Sequence, residues 1–376
     1  MFFVYYNVLV HVHEIYKILY HIMQIKSREK ISGGVFVAIT VKEIARLAGV
    51  SRGTVDRALK GRDGINRETK ERILKIAQEH NYTPNLIGKA LVYSKHPIKV
   101  SVILNSVGND FFSEMKRGFF EAEREYSSYG INLTLCEIKG YKSEDILRAI
   151  EKIDEDTKAL ILTPVNDEKV REKIDELTEK GICVITVSSD IEESKRTAYV
   201  GCDYLKSGRI AGRLIRLLNK KGASVCIATG SANHKGHMSR VEGIRSYLED
   251  HGNDINIAGV IENQDDNETA YVNTKAFLQS HSNISFVYIT AGGVSGTVRA
   301  VREEAQTGRK IGIGCFDDTP EIEKAVKSGD IEATICQQPF EQGYNAVKLI
   351  FEKIVAKKEI DEFNYTQLII KVDESM

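Results

Sequence analysis

The chain of 376 residues is long enough for two or three domains, and its apolar content of 42% supports sizeable hydrophobic cores. No helical solenoid repeat or low-complexity tract is present in the sequence, which excludes a repeat architecture. The formal net charge of −1 gives no overall basic or acidic bias, but it averages over segments of unlike charge.

The first 36 residues form an apolar N-terminal extension that polar side chains interrupt. This stretch has neither the basic start and small-residue cleavage site of a signal peptide nor the roughly 18 uninterrupted apolar residues of a membrane span. We favour a mis-assigned start codon, with translation beginning at Val37. The alternative is a real amphipathic appendage that contacts a membrane or a partner.

Residues 40–48 have the pattern of a short amphipathic helix. Thr40 is a good N-cap, and Glu43 lies three residues later, as in a capping box. Gly49 ends the helix, because glycine tolerates a positive φ at a helix C-terminus. Apolar side chains share one face of this helix: Val41, Ile44, Ala45 and Ala48.

A second helix is predicted over 52–60, with Ser51 as its N-cap. Two helices joined by a short turn that contains glycine form a helix-turn-helix, whose second helix enters the major groove of DNA. Arg52 and Arg57 point outward on this helix, so it presents a basic face. An ordinary small helical domain with exposed arginines is the alternative.

Charge distribution supports the DNA-binding interpretation. Residues 40–96 contain twelve Lys or Arg and six Asp or Glu, so they carry about +6 and the remainder carries about −7. This split fits a small nucleic-acid-binding module attached to a domain that does not bind DNA.

The run from Thr40 to Leu59 follows the pattern T-x-x-E-I-A-x-x-A-G-V-S-x-x-T-V-x-R-x-L, and 81–85 read N-Y-x-P-N. Over about 55 residues this stretch resembles the DNA-binding domain of the LacI–GalR family of bacterial transcription regulators. The resemblance implies an all-α helix-turn-helix domain over 38–84, a hinge helix and linker over 85–97, and an effector-binding and dimerisation domain over 98–376. It also implies a homodimer on a pseudo-palindromic operator in double-stranded DNA.

Base reading is expected from Arg52, at guanine O6 and N7, while Gly53 allows close approach. Contacts to phosphates are expected through hydroxyl, amide or helix N-terminal N–H groups. The residues assigned to DNA are Thr40, Val41, Ser51, Arg52, Gly53, Thr54, Arg57, Asn66, Thr69, Asn85, Gly88 and Leu91. The hinge segment 85–94 is too short for a stable isolated helix, so we expect it to become helical on the operator. The resemblance implies that it enters the minor groove there, with Leu91 wedged between base pairs.

From residue 99 onward, short apolar runs alternate with amphipathic helices. Strands are predicted over 100–105, 131–137, 159–163, 183–187, 224–228, 255–261, 285–289, 310–316 and 332–337. Helices are predicted over 113–126, 168–180, 207–219, 240–251, 269–280 and 295–307. This rhythm predicts an α/β domain of doubly wound parallel sheets, and about 275 residues is too many for one such unit, so two lobes are expected.

This second region resembles the two-lobed periplasmic sugar-binding fold. Asn109-Asp110-Phe111-Phe112 is similar to its first ligand loop, and the strands ending at Asp317 and Gln337 are similar to those that deliver an aspartate and a glutamine to sugar hydroxyls. The effector residues implied are Phe112, Thr163, Ser188, Asp190, Arg240, Asp317 and Gln337. A carboxylate and an amide suit a polyhydroxylated ligand.

Other positions depart from the sugar-binding pattern. Ser188-Ser189 stand where Asp-Arg is usual, Met238 where an arginine is usual, and Thr290-Ala291-Gly292-Gly293 where Asn-Asp is usual. A plain hexose is therefore in doubt, and a less common sugar, a polyol or another small metabolite stays open. The alternative roles are a helix N-cap for Asp317 and lobe packing for Phe112.

The six cysteines show no C-x-x-C spacing, and several lie in apolar, strand-like runs. They are Cys136, Cys183, Cys202, Cys226, Cys315 and Cys336. Buried, reduced thiols are expected, which suits a cytoplasmic protein, whereas a metal site or disulfide framework is poorly supported. We expect no cofactor and no metal.

The sequence has no G-x-G-x-x-G after a strand, no P-loop and no G-x-S-x-G elbow, so it is predicted not to be an enzyme. His234 and His237 lack companions for a metal site and are expected in an exposed loop or helix start. A catalytic descendant of the fold and a transport-type binding protein are the alternatives. The C-terminal tail has no heptads, which favours a dimer over a tetramer. The interpretation is a cytoplasmic, ligand-responsive repressor without membrane contact.

Overall fold

The computed structural model describes residues 39–59, 62–80, 93, 97–232, 234–251 and 254–376. The chain divides into two units, Met1–Asn85 and Leu86–Met376. The expectations for the N-terminal extension and for Asn85, Gly88 and Leu91 lie outside the described residues.

The described residues of the first unit form three helices around a small apolar core. They are α1 (Val41–Ala48), α2 (Arg52–Leu59) and α3 (Arg67–Glu79). Ile44, Val55 and Ile73, one from each helix, are fully buried against one another. The helix-turn-helix expected from the sequence is therefore present, and α2 ends within one residue of its predicted end.

Side-chain caps begin all three of these helices. Thr40 Oγ1 accepts a hydrogen bond from the Glu43 backbone N–H at 3.2 Å, and Ser51 Oγ accepts one from the Thr54 N–H at 3.1 Å. Gly49 ends α1 at a φ of 65°, as predicted. The Glu43 carboxylate binds Arg46 at 2.8 Å, so the reciprocal half of the predicted capping box is replaced by an ion pair.

The second unit is an α/β structure with two lobes. Its elements up to the first passage between lobes are β1 (Ile98–Leu104), α4 (Phe111–Tyr126), β2 (Ile131–Glu137), α5 (Ser143–Ile150), β3 (Ala159–Leu162), α6 (Glu168–Glu179), β4 (Cys183–Val187) and β5 (Ala198–Gly201). Those of the second lobe are α7 (Tyr204–Leu218), β6 (Ala223–Thr229), α8 (Lys235–His251), β7 (Ile255–Glu262), α9 (Asn267–Ser280), β8 (Phe286–Ile289), α10 (Val294–Ala305), β9 (Gly312–Phe316), α11 (Pro320–Lys327) and β10 (Ala333–Cys336). The C-terminal elements are α12 (Pro339–Ile350), which continues into the π-helical segment Phe351–Ala356, then β11 (Phe363–Tyr365) and β12 (Ile369–Lys371).

Each lobe has a six-stranded sheet. The strand order is β11-β5-β4-β3-β1-β2 in the first lobe and β12-β10-β9-β8-β6-β7 in the second. All pairings are parallel except that of β10 with β12, which is antiparallel. Every residue of β3, β4, β8 and β10 is buried, as expected for parallel strands covered on both faces by helices. The doubly wound architecture predicted from the sequence is confirmed.

The chain passes between the lobes three times, after β5, after β10 and after β11. The helix α12 returns to pack against α4, and its residues Ala346, Val347 and Ile350 join the core of the first lobe. The three passages are hydrogen-bonded at Gln337: its Oε1 accepts from Cys202 Sγ at 3.3 Å, and its backbone carbonyl accepts from Thr366 Oγ1 at 2.8 Å.

All six cysteines are free, and five of them are buried as expected. Cys136 is the correction: it is exposed, because it lies near the end of β2, the edge strand of its sheet.

Candidate functional site

The predicted DNA-reading residues lie on the surface of the first unit. Arg52, Gly53 and Arg57 are exposed on α2, and the Arg57 Nε donates to the Gly53 carbonyl at 3.2 Å. Gly53 has an ordinary negative φ, and an added Cβ would meet only Ser51 Oγ, at 3.7 Å. The fold of this unit therefore does not itself require glycine at position 53.

Three residues assigned to phosphates are helix N-caps: Thr40, Ser51 and Asn66. The Asn66 Oδ1 accepts from the Thr69 N–H at 2.7 Å. Helix N-termini carry partial positive charge and N–H groups that bind phosphate, so these positions suit contacts to a DNA backbone. Val41, Thr54 and Thr69 are half-buried in the first turns of the three helices.

A cleft between the lobes of the second unit is formed at the carboxyl ends of the parallel strands. In doubly wound sheets these ends are where ligands bind. Tyr141, which follows β2 in the first lobe, contacts His234 and His237 of the second lobe with ring-centroid separations of 5.5 and 5.9 Å. Its hydroxyl donates a hydrogen bond to the Asp265 carboxylate, which follows β7. The two lobes therefore close on each other at their strand ends.

Asp317 and Gln337 are brought together by the adjacent strands β9 and β10. Gln337 Nε2 donates to Asp317 Oδ1 at 2.6 Å. Burial raises the pKa of the Asp317 carboxyl to about 6, although Arg240 and the Gln337 hydrogen bond act in the opposite direction. Thr319, and not Asp317, caps α11, so the alternative role of Asp317 as a helix cap is wrong.

Arg240 is buried beside this pair, on α8. Its guanidinium carbon lies 3.8 Å from the centroid of the Phe316 ring and 4.8 Å from that of Tyr204. Its Nη1 donates to the Thr290 carbonyl at 2.6 Å, whereas Nε and Nη2 have no partner. The guanidinium is thus fixed by stacking and by one hydrogen bond, and two of its donors remain available.

Other buried side chains at these strand ends also have unpartnered polar atoms. The atoms are Asn105 Oδ1, Thr163 Oγ1, Ser189 Oγ and His234 Nδ1. Asn105, Thr163 and Ser189 directly follow or nearly follow β1, β3 and β4 of the first lobe, and His234 precedes α8 of the second. Buried polar groups are normally hydrogen-bonded, to the protein or to ordered water, so this concentration marks the strand ends as a candidate ligand site.

The backbone around the cleft is strained. Seven non-glycine residues of the described chain have positive φ, and five of them follow strands at the cleft or at the passages between lobes. The five are Ser188, Gln264, Asp265, Asp317 and Gln338. Such conformations cluster at functional sites, because the surrounding structure must hold them in place.

The prediction that His234 and His237 are exposed is wrong. Their exposed fractions are 4% and 7%, and their rings stack with centroids 4.0 Å apart. Burial lowers the pKa of His234 well below its usual value and, together with Arg240, lowers that of His237 to about 3, so both imidazoles are neutral at pH 7. The error arises because α8 begins at Lys235 and not at Arg240. His237 therefore lies in the first turn of the helix and His234 directly before it, where both rings are buried at the cleft.

Two of the expected effector residues have other partners. The Asp190 carboxylate is held by Arg196 through Oδ1–Nε and Oδ2–Nη2 distances of 2.5 and 2.7 Å, and it lines a cavity of about 720 Å³ formed by residues of both lobes. Phe112 packs in the core of the first lobe, and its neighbour Phe111 lines the cleft cavity. Their contacts with a ligand stay predictions, as does that of Ser188, whose Oγ lies 3.4 Å from the Tyr204 hydroxyl.

Tyr141, Asp265, Ser189 and Asn105 were missed by the sequence reasoning. The available signal was their position, since each lies at or just beyond the carboxyl end of a predicted strand. Within the described residues, no group of three His, Cys, Asp or Glu side chains could hold a metal ion, and no helix is long and apolar enough to cross a membrane.

Comparisons with known proteins assign each of the two units to a known protein family. Residues 40–85 match the family described as bacterial regulatory proteins, lacI family, and residues 100–358 match the periplasmic binding protein domain. The HTH-type transcriptional regulator RegA of Clostridium saccharobutylicum is 25% identical over 335 residues, which span 88% of this chain and 96% of the relative.

The second unit is also similar to proteins that are named as sugar-binding proteins. The ribose import binding protein RbsB of Salmonella typhimurium is 25% identical over 279 residues, 72% of this chain and 90% of the relative. The crystal structure of GanP, a glucose-galactose binding protein from Geobacillus stearothermophilus, superposes with a TM-score of 0.69 and 26% identity over 75% of this chain and 99% of that one. Over residues 100–358 the chain belongs to the periplasmic binding protein domain family, and with the lacI-family region at residues 40–85 it is a DNA-binding transcription regulator.

Proposed function

We propose that this regulator binds a small, hydroxyl-bearing ligand in the cleft between its lobes and that the ligand changes its affinity for operator DNA. The proposal includes a cytoplasmic homodimer that acts as a repressor and does not turn the ligand over. Relatives named as binding ribose, glucose and galactose support a sugar-like ligand.

The observation that carries the proposal is the group of unpartnered buried polar atoms in the cleft. Asn105, Thr163, Ser189, His234 and Arg240 each have at least one. Leaving a buried polar group without a partner costs roughly 1–3 kcal/mol, and a hydroxylated ligand can both donate to and accept from such groups. Asp317 and Gln337 add a carboxylate and an amide beside them.

The hydrogen bonds of Gln337 suggest how the ligand signal leaves the cleft. Its side chain binds Asp317 on one side and Cys202 on the other, and its backbone carbonyl accepts from Thr366. Cys202, Gln337 and Thr366 belong to the three passages between lobes. A ligand that engages Asp317 therefore acts on the segments about which the lobes open and close. It needs to favour one lobe arrangement by only about 1–3 kcal/mol to be an effective regulator.

A matched pair of threonine variants tests the cleft. Thr163 and Thr178 both have a buried Oγ1 without a partner, but Thr163 follows β3 at the cleft and Thr178 lies on α6. Thermal shift against sugars, polyols and phosphosugars would identify a ligand, and calorimetry would then give its affinity. Thr163→Val should weaken binding about tenfold, as expected for one lost hydrogen bond, and Thr178→Val should leave it unchanged.

Equal ligand affinity in both valine variants would place the ligand elsewhere. Recovery of the ligand unchanged after incubation with the protein would support binding without turnover. A converted ligand would instead favour the catalytic alternative.

A further inference from the structure

An acidic cavity of about 90 Å³ lies between the two lobes. Its volume is about that of three water molecules, so in this arrangement it has room for a small charged group rather than for a whole sugar. Four carboxylates line it: Asp110 from the first lobe and Asp265, Asp317 and Glu321 from the second. The described lining includes no Lys, Arg or His.

The ionisable side chains that line the acidic cavity are all carboxylates. His234 and His237 are neutral, and the buried Arg240 acts on Asp317 as a positive charge from outside this lining. Burial and the nearby Asp110 raise the pKa of Glu321, and both Asp318 and Asp265 contribute to the raised pKa of Asp317. Carboxylates that repel one another in this way are stabilised by a positive charge placed among them.

The side chains that line the acidic cavity also offer more hydrogen-bond acceptors than donors. Asp317 Oδ1 accepts a hydrogen bond from Gln337 Nε2. The Asp265 carboxylate accepts one from the Tyr141 hydroxyl and another, at 2.8 Å, from the Gly292 N–H. Each ionised carboxylate can still accept further hydrogen bonds. A hydroxyl has one hydrogen to donate, whereas an ammonium group has three and accepts none. An excess of acceptors therefore fits an ammonium group better than a hydroxyl.

The unpartnered buried atoms at the strand ends are an independent indication that a ligand binds here. Arg240 Nε and Nη2 are donors that need an oxygen acceptor, and Thr163 and Ser189 can donate or accept. Tyr141 donates to Asp265 while its ring contacts His234, and Arg240 stacks on Phe316, the residue before Asp317, so these buried groups adjoin the acidic cavity.

We propose that the ligand of the cleft carries a protonated amine on a hydroxylated body, as an amino sugar does. The ammonium group lies between Asp265 and Asp317, and a hydroxyl or ring oxygen accepts from Arg240. This specificity rests on the proposed function of the cleft as the effector site. It excludes phosphorylated sugars and sugar acids, which would add negative charge to a cavity that already has four carboxylates.

Sets of sugars that differ only in one substituent test the proposal. Calorimetry on the full chain at pH 7.5 would compare D-glucose, D-glucosamine, N-acetyl-D-glucosamine and D-glucose 6-phosphate, and then the same four derivatives of D-galactose. In at least one set the amine should bind tenfold or more tightly than its parent sugar and its neutral N-acetyl form. The phosphate should show no binding.

Two acid-to-amide variants show whether the preference for an amine depends on a carboxylate of the cavity or on the loss of any negative charge. Asp265→Asn should reduce the ratio of amine to parent-sugar affinity toward one. Asp250→Asn should keep the ratio, because the Asp250 carboxylate pairs with Arg209 at 2.9 Å and does not line the cavity.

Equal or tighter binding of a parent sugar or phosphosugar would overturn the amine specificity and leave the proposed function standing. An unchanged affinity ratio in Asp265→Asn would also overturn it. If no member of either set binds, the amine specificity is wrong, whereas the proposed function is then decided by the wider thermal-shift panel of sugars and polyols.

Discussion

Tyr141 and Asp265 join the two lobes through a hydrogen bond from the tyrosine hydroxyl to the carboxylate. They are 124 residues apart in the sequence, at the ends of β2 and β7. Burial, and then the charge of Asp265, raise the pKa of Tyr141 well above 10, so its hydroxyl stays protonated and able to donate. This bond can form only when the strand ends of the two lobes meet, and it therefore stabilises the closed arrangement.

Tyr141→Phe removes that hydroxyl and keeps the ring that packs on His234 and His237. A hydrogen bond to a charged group contributes about 1.5–3 kcal/mol, so ligand affinity should fall by roughly 10- to 100-fold as the closed state is lost. Calorimetry with the ligand that the sugar panel identifies would measure this change in affinity. Tyr129→Phe, on a ring that packs on Phe351 in the first lobe, is the control and should bind normally. Wild-type affinity in Tyr141→Phe would remove the contact from the mechanism.

Asp317→Asn should stabilise the fold at neutral pH and weaken ligand binding. The carboxyl has a pKa of about 6 in the folded chain against 3.8 for an ordinary Asp, so the folded state favours its protonated form. This contribution to stability is fully present below pH 3.8 and is lost as the pH rises through about 6. At pH 7 the substitution should therefore raise the free energy of unfolding by on the order of 2–3 kcal/mol.

Denaturant unfolding of wild type and Asp317→Asn at several pH values between about 4 and 7 would check this. The wild-type curve should lose stability relative to the variant as the pH rises across that window. A variant that is less stable than wild type at pH 7 would show that the Gln337 hydrogen bond to the ionised carboxylate outweighs burial.

Arg52→Ala should weaken operator binding by about 1–3 kcal/mol and relax base preference at one position, because a bidentate contact to guanine is lost. Arg52 is exposed, so the fold should be unaffected. Arg46→Ala is the matched control, since Arg46 lies on α1 and is paired with Glu43. Mobility-shift titrations against a selected operator and its single-base variants would measure both. Similar losses in the two variants would indicate that Arg52 contributes only charge.

Gly53→Ala separates the requirements of folding from those of DNA binding. An added Cβ meets no close neighbour in the first unit, and alanine is favoured over glycine in a helix by about 0.5–1 kcal/mol, so thermal stability of this unit should rise. If Gly53 allows close approach to DNA, operator affinity should fall despite the gain in stability. Unchanged operator affinity would mean that Gly53 has no such role.

The α/β region was predictable where the strands are long or continuously apolar. The predicted strands 131–137 and 183–187 match β2 and β4 residue for residue. The short strands β5, β11 and β12 were missed, since three or four residues give no periodic pattern and their pairing depends on distant segments. The family resemblance implied that Asp317 and Gln337 both reach the ligand site, but not that they are hydrogen-bonded to each other.

The contacts that close the cleft were not predictable in the same way. Tyr141, Asp265 and the two histidines meet only through the packing of one lobe on the other, and no local pattern encodes that. The start of α8 also illustrates the difficulty: Gly236 and Ser239 weaken the helical signal, yet both lie inside the helix. In the first unit, by contrast, caps, turn glycine and apolar face are all local, and its three described helices follow from them.

Ligand control of DNA binding is tested most directly by measuring operator affinity with and without a ligand bound in the cleft. An operator would be selected from random duplexes with the full chain, and its dissociation constant measured for wild type and Gln337→Ala. A saturating ligand should change wild-type operator affinity at least tenfold, and the operator should change ligand affinity by the same factor. In Gln337→Ala, which retains the first unit but loses the side-chain bonds to Asp317 and Cys202, operator affinity without ligand should be normal and the ligand effect much smaller. An operator dissociation constant that is identical with the wild-type cleft empty and occupied would contradict ligand control.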